Sequence, residues 1–378
     1  MTATKSAKHW MRSLNGNKPL KHTAAMKSLK ITYYTFLLFI LPYLFVACNS
    51  SSKKNDKNPE NYTYYQEQGE IFHTSFHIKY AYDRSLYDEI MDELHSFDQS
   101  LNPFLDSSII SKVNRNEPVE LDTFFIYVFN RAMEISEIAG GKFDITCSPF
   151  VNAWGFGFRN MDNVTPETID SLKQFVGYDK IKLENGKIVK SDPRIQLNTS
   201  AIAKGYSCDI VADLFKRHGV ENYMVEIGGE IAAKGVNDKQ ECWRIGIDKP
   251  MDDSTGMHHE LQTILSICNK CLATSGNYRN YYVKNGKKFA HTIDPQTGYP
   301  SENEMLSATV LADDCMTADA MATAFMASGL KKSEEMAKKI PGLEYYIIYS
   351  APDGKTKTAF SEGLLEFFAD KTEVLEKH

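Results

Sequence analysis

The sequence predicts an α+β fold, and three observations carry that prediction. Segments with helical periodicity and segments with strand-like alternation are mixed along the chain. No regular strand-helix-strand repeat orders them as a parallel sheet would require. Asn185-Gly186 and Asn285-Gly286 each separate two short apolar runs, the signature of antiparallel hairpins. At 378 residues, 42% hydrophobic and 12% aromatic, the chain can bury a sizeable core, in one large domain or two closely packed ones. A net charge of −6 with both signs interspersed, and no aromatic-basic stripe, excludes a nucleic-acid surface and leaves small molecules or proteins as partners.

The first segment is an address. Residues 31–47 are almost continuously apolar, follow Lys21, Lys27 and Lys30, and lead directly into Cys48, the layout of a secretory signal. Residues 1–47 therefore read as a signal peptide, and because Met26-Lys27 makes a more usual start, 1–25 read as an upstream extension. An uncleaved anchor is the competing reading, but the span is short against the roughly 20 residues a bilayer needs, and Pro42 interrupts it. Leu44-Phe45-Val46-Ala47-Cys48 resembles a bacterial lipobox, which makes Cys48 a lipidated first residue. The expectation is a lipid-anchored protein of the bacterial cell envelope with its domain outside the cytoplasm, on the periplasmic side. Residues 48–61, rich in Ser, Lys, Asn and Asp, are a tether; 62–370 are the folded domain and 371–378 a charged tail.

The elements follow in order. Residues 72–80 alternate as a strand, and 85–101 have helical spacing through Leu86, Ile90, Leu94 and Phe97. Ser107-Ser108 cap a short helix, 123–138 form a longer one ended by Gly140-Gly141, and the aromatic stretch 149–158, broken by Gly155 and Gly157, reads as a loop packed on the core. A helix over 166–175 and a hairpin over 180–190 come next. Residues 195–198 read as a strand, Thr199 or Ser200 as a cap, and 201–218 as a helix stopped by Gly219. Residues 223–231 read as a strand interrupted by Gly228-Gly229, since glycine within a strand marks a bulge or a close approach. Strands over 243–247 and 263–267, a polar loop over 273–278, a hairpin over 281–293, a strand over 307–311, a helix over 317–328 and a strand over 343–349 complete the domain, which 362–368 close.

Chemistry collects in few places. The stretch Ala290-His291-Thr292-Ile293-Asp294-Pro295-Gln296-Thr297-Gly298-Tyr299-Pro300 brings an imidazole, a carboxylate and two hydroxyls onto a sharp turn. Taken alone, its Asp-Pro and Gly are ordinary turn residues. Asp319 and Thr323 stand four residues apart on one helical face and offer hard oxygens of the kind that suit Mg²⁺ sharing a phosphate ligand, although a first-turn Asp also stabilises a helix dipole. Lys204, one turn into a helix, adds charge where a helix N-terminus already favours phosphate. Among seven cysteines, Cys268-Asn269-Lys270-Cys271 is too small for a structural zinc site and reads as two half-buried thiols ending a strand.

Six motifs in order carry a resemblance. Phe143-Asp144-Ile145-Thr146 with Trp154-Gly155-Phe156-Gly157, Ala201-Ile202-Ala203-Lys204-Gly205-Tyr206, Gly228-Gly229-Glu230, Ala273-Thr274-Ser275-Gly276-Asn277-Tyr278, the His291–Gly298 bend and Ala318-Asp319-Ala320 with Thr323 resemble the ApbE family of FAD:protein FMN transferases. The resemblance implies a mixed domain with a ligand cleft between two packed halves and a Mg²⁺-dependent transfer, in which a threonine hydroxyl of an acceptor protein attacks the FMN phosphorus of FAD and AMP leaves. It implies Asp319, Thr323 and the carbonyl of Ala201 as metal ligands, and Lys142, Phe143, Asp144, Asn198, Lys204 and Ile293 as nucleotide contacts, with Phe72 and Phe104 lining the FAD pocket. His73 stands where the family usually has Gly, and Asn198 where Asp is common. Either His291 or Asp294 takes the threonine proton. Hydrolysis of FAD to FMN and AMP, or FAD binding without chemistry, are the alternatives.

Overall fold

The computed structural model describes residues 63–156, 164–250, 260–277, 281–284, 287–290 and 292–371. The signal segment, Cys48, the tether, His291, Gly157-Phe158, Asn285-Gly286 and most of the charged tail lie outside the described residues.

β1 (Thr63–Ile71) and β2 (Thr74–Tyr82) form a hairpin whose two-residue turn is Phe72-His73, with φ of 53° and 59°. Both turn residues need positive φ in such a connection, so the expected strand begins two residues later than alternation suggests. α1 (Tyr87–Leu101) buries Ile90, Leu94, Phe97 and Leu101 at helical spacing. α2 (Ile109–Asn114) is capped by Ser108, and α3 (Thr123–Ile138) by Asp122. The expected aromatic loop is partly helical: α4 (Ser148–Ala153) carries Phe150 and Trp154 into a small cluster with Ile169, Val176 and Ile293. α5 (Pro166–Lys173) and the hairpin of β3 (Ile181–Glu184) and β4 (Lys187–Lys190) follow.

Residues 195–198 join no ladder. The Asn114 side chain instead donates to the Leu197 carbonyl and accepts from its amide, doing for one residue what a neighbouring strand would do. α6 (Ala203–His218) starts two residues later than expected, and neither Thr199 nor Ser200 caps it by side chain. The Thr199 carbonyl accepts from Ile202 and Ala203 instead. Gly228-Gly229, φ 65° and 98°, is not a bulge but the turn between β5 (Tyr223–Ile227) and β6 (Glu230–Lys234). β7 (Trp243–Asp248) and β8 (Leu261–Ile267) form a separate ribbon, and β9 (Asn269–Gly276) runs through the segment expected to be a polar loop. β10 (Tyr281–Lys284) and β11 (Lys287–Ala290) pair as expected. β12 (Met305–Ala312), α7 (Cys315–Ser328), α8 (Leu330–Ala337), β13 (Glu344–Ser350), β14 (Thr356–Phe360) and a 3₁₀ turn (Glu362–Phe367) end the described chain.

Eight strands make one antiparallel sheet in the order β1-β2-β5-β6-β9-β12-β13-β14. Alternation along its strands feeds two cores: Ala308 and Val310 of β12 face the helices, while Leu311 faces the β7-β8 ribbon with Trp243, Ile245 and Phe368. In α7, rich in Ala and Met, every residue except Thr323 and Ser328 is buried, so it is a central helix rather than a surface one. Cys268, just after β8, is disulfide-bonded to Cys242, just before β7, at the end of the ribbon where Trp243 pairs with Ile267, which corrects the expectation of two half-buried thiols at Cys268 and Cys271; Cys271 is free and buried.

Candidate active site

The geometry begins where α6 meets α7. A Cβ on Gly205 would sit 2.3 Å from the Cys315 carbonyl oxygen and 2.8 Å from the Asp319 Cβ, so only glycine lets the helices approach this closely. That approach delivers the Gly205 amide, one of the unpaired N–H groups of a helix start, to Asp319 Oδ2 at 3.0 Å. Asp319 is 4% exposed, and among the described residues its Oδ1 has no hydrogen-bond partner. One turn further along, Thr323 meets Ser275 of β9, 3.4 Å between hydroxyls.

Lys204 precedes Gly205 and stretches over the Gly228 turn to Glu230, its Nζ 2.5 Å from Oε1. Glu230 is 3% exposed, and its Oε2 is a buried oxygen without a partner among the described residues, as is Thr199 Oγ1. The cluster thus sets two carboxylates against one ammonium. Burial, and then the charge of Asp319, holds the Glu230 carboxyl above its ordinary range, with Lys204 opposing. Burial also raises Asp319, against Lys204 and the Gly205 amide. Lys204 would be lowered by burial, but Glu230 and Asp319 keep it above its usual value. Two buried carboxyls sharing one ammonium, with an unpartnered oxygen on Glu230, can take a hard divalent cation and a phosphate beside it. Asp319, Thr323 and the carbonyl of Ala201 fit that role by donor chemistry. Among the described residues no group of three His, Cys, Asp or Glu side chains is arranged to hold a metal, so a cation here would depend on hydroxyl, carbonyl and ligand oxygens.

A cavity of about 200 Å³ opens beside Lys204, walled by Phe72, His73, Phe97, Asn102 and Phe104. Phe72 meets Phe97 edge-on and His73 meets Phe104 the same way, leaving Phe104 64% exposed at the rim. Three of the expected residues, Phe72, Phe104 and Lys204, therefore share one wall system.

The bend forms a second cluster. Ile293 bridges to Pro300, the Asp294 amide donates to Tyr299 and its carbonyl accepts from Gly298, closing the sharp turn the sequence predicts. Asp294 Oδ2 lies 2.6 Å from Lys142 Nζ, Oδ1 accepts from the Gln296 amide, and the two charged side chains are only 10% and 14% exposed. Asp144 is saturated as well: Oδ1 accepts from the amide and hydroxyl of Thr146, Oδ2 from the Tyr178 amide. The Phe143 side chain belongs to the main core and Ile293 to the small aromatic cluster. Asn198 accepts from the Ser200 amide at the approach to α6. The link between the clusters is β9, whose Ser275 touches Thr323 and whose end is followed by Asn277, which accepts from the Thr292 hydroxyl at 2.9 Å. Sequence reasoning did not single out Glu230, Ser275 or Asn277 as site residues; a Glu directly after a Gly-Gly turn in an otherwise apolar strand was the available signal.

Known proteins resemble this chain in sequence and in fold. The model of the ApbE family matches residues 72–347. A Haemophilus influenzae protein named FAD:protein FMN transferase is 36% identical over 314 residues, 78% of this chain and 90% of that one. One of the same name from Vibrio cholerae is 35% identical over 306 residues, again 78% and 90%. Among solved structures, the flavin transferase ApbE from Vibrio cholerae superposes with a TM-score of 0.72 at 32% identity, covering 81% of this chain and 99% of that one.

Proposed function

The chain belongs to the ApbE family, and from that premise we propose that it is an FAD:protein FMN transferase that moves the FMN part of FAD to a threonine hydroxyl of an acceptor protein and releases AMP. The observation that carries this reading is the buried Lys204–Glu230–Asp319 cluster, with an oxygen of Glu230 left open, beside the aromatic cavity. Asp319, Thr323 and the Ala201 carbonyl would hold Mg²⁺, which would supply charge stabilisation to the reacting diphosphate. Lys204 neutralises a phosphate oxygen from the first turn of α6, where the helix N-terminus already favours anions. Phe72 and Phe104 grip a flat ring system.

The threonine oxygen forms a bond to the FMN phosphorus, the bond to the AMP oxygen breaks, and the threonine proton must leave. Either His291 or Asp294 takes that proton, Asp294 already accepting from the Lys142 ammonium and the Gln296 amide. A lipid at Cys48 would tether the domain at the envelope surface, within reach of membrane-bound acceptors, and the Cys242–Cys268 disulfide supports an oxidising compartment.

Incubation with FAD, Mg²⁺ and an acceptor bearing a flavinylation-type threonine tests the reading by mass spectrometry. AMP with a flavin adduct supports transfer. AMP with free FMN makes the protein a hydrolase, and unchanged FAD makes it a flavin carrier.

A further inference from the structure

The first-turn amides of α6 and α7 are satisfied by each other's carboxylates. Asp319 of α7 accepts the Gly205 amide of α6. One turn along α6, Asp209 accepts the first two amides of α7: Cys315 N–H to Oδ1 at 2.7 Å and Met316 N–H to Oδ2 at 2.8 Å. The Asp314 side chain, the helix's own cap, takes the third amide, that of Thr317. Asp209 therefore does for α7 what a second capping residue would do, but from a different helix. At the Gly205 rung the helices approach too closely for a Cβ, so they have little room to slide.

We propose that Asp209 is a positioning residue for the active site: by clamping the N-terminus of α7 to α6, it fixes Asp319 and Thr323 against Lys204. The inference rests on the reading of Asp319 as a Mg²⁺ ligand for its first test and on the reciprocal capping alone for its second. Rotation of α7 about its axis is what the clamp prevents. Asp319 lies four residues from Cys315, about one helical turn, so freeing the helix start moves the carboxylate that the cation needs. Asparagine keeps the shape of Asp209 but has one acceptor oxygen, leaving one helix amide facing an NH₂ group.

The first test is calorimetric titration of the full-length chain with Mg²⁺ alone, with no flavin present. Asp209→Asn should weaken Mg²⁺ binding roughly tenfold or more, the usual consequence of removing an outer partner of a ligand. Arg131→Ala is the control. Arg131 donates to the Thr317 hydroxyl and faces Asp314 at the same helix end but, among the described residues, forms no hydrogen bond or ion pair with α6, and its loss should leave Mg²⁺ affinity unchanged. An Asp209→Asn protein with native near-ultraviolet dichroism and wild-type Mg²⁺ affinity overturns the proposal. The second test needs neither the Asp209 variant nor the metal. In Asp319→Ala, which takes away the acceptor of the Gly205 amide, amide exchange at Cys315 and Met316 should accelerate, because releasing one rung loosens the other; unchanged exchange overturns the clamp. A wild-type chain that takes up no Mg²⁺ removes the metal reading instead, and the exchange result then decides the clamp by itself.

Discussion

Lys204 and Lys142 are both ammonium groups held against carboxylates by the same fold, yet their surroundings are built on opposite plans. Lys142 and Asp294 are matched one to one, and the neighbouring Asp144 has three donors on its two oxygens. Lys204 faces two carboxylates, one with a buried oxygen that nothing described satisfies. A closed pair of the first kind balances its own charge and shapes the bend, as scaffolding would. An open set of the second kind is costly until something binds it, and that cost is a reason to expect a ligand there.

The sharpest way to break this contrast is to remove the carboxylate that the open cluster shares between helix and ligand. Asp319→Ala should lower flavin transfer on the order of 1,000-fold, as loss of a major electrostatic contributor does, with the fold retained by circular dichroism. Wild-type turnover in that variant would make the open cluster another piece of scaffolding. The closed pair should behave in the reverse sense. Lys142→Ala leaves Asp294 buried without its cation and should cost about 3 kcal/mol in urea unfolding, and a second change, Asp294→Asn, should recover part of the loss. Next comes the response to cation. Mg²⁺ at 100 times its dissociation constant should stabilise the folded chain by about 2.7 kcal/mol, measured as a rise in melting temperature that Asp319→Ala abolishes and Lys142→Ala does not.

The smallest effect is the dependence on pH. Glu230 is held above the usual carboxylate range by burial and by Asp319, so the folded chain keeps its proton to higher pH than the unfolded chain. Above the ordinary glutamate range, the folded state therefore binds more protons, and stability falls as pH rises until the folded group has ionised. Glu230→Gln should remove that decline, a difference on the order of 1 kcal/mol between about pH 6 and pH 9 by thermal melting. An identical slope in the variant would mean that Glu230 does not carry the pH dependence.

Much of this architecture is legible in periodicity and turn chemistry, and the misses share a cause. The helices over 87–101, 123–138 and 315–328 and the hairpin at Asn185-Gly186 announce themselves through local spacing. β9 does not, because a central strand is expected to be apolar, whereas Thr274 and Ser275 are polar for the sake of Thr309 and Thr323 across the fold. Residues 195–198 mislead in the other direction, since the partner of Leu197 is a side chain 83 positions away. The same holds for the site. Lys204, Asp319 and the bend are visible as motifs, but whether a charged residue is spent on scaffolding or left open depends on partners such as Glu230, Gln296 and Tyr178 that no local pattern reveals.

The tip of the first hairpin has a consequence for how a flat ligand would enter. Phe72 and His73 occupy left-handed backbone without being glycine, at about 1 kcal/mol or more each, and the nine-residue ladder behind them holds them there. The backbone that carries the two rings cannot move aside unless that ladder unzips from its end. An incoming aromatic ring therefore meets a wall already set in place, and little of its binding energy is lost to ordering the protein.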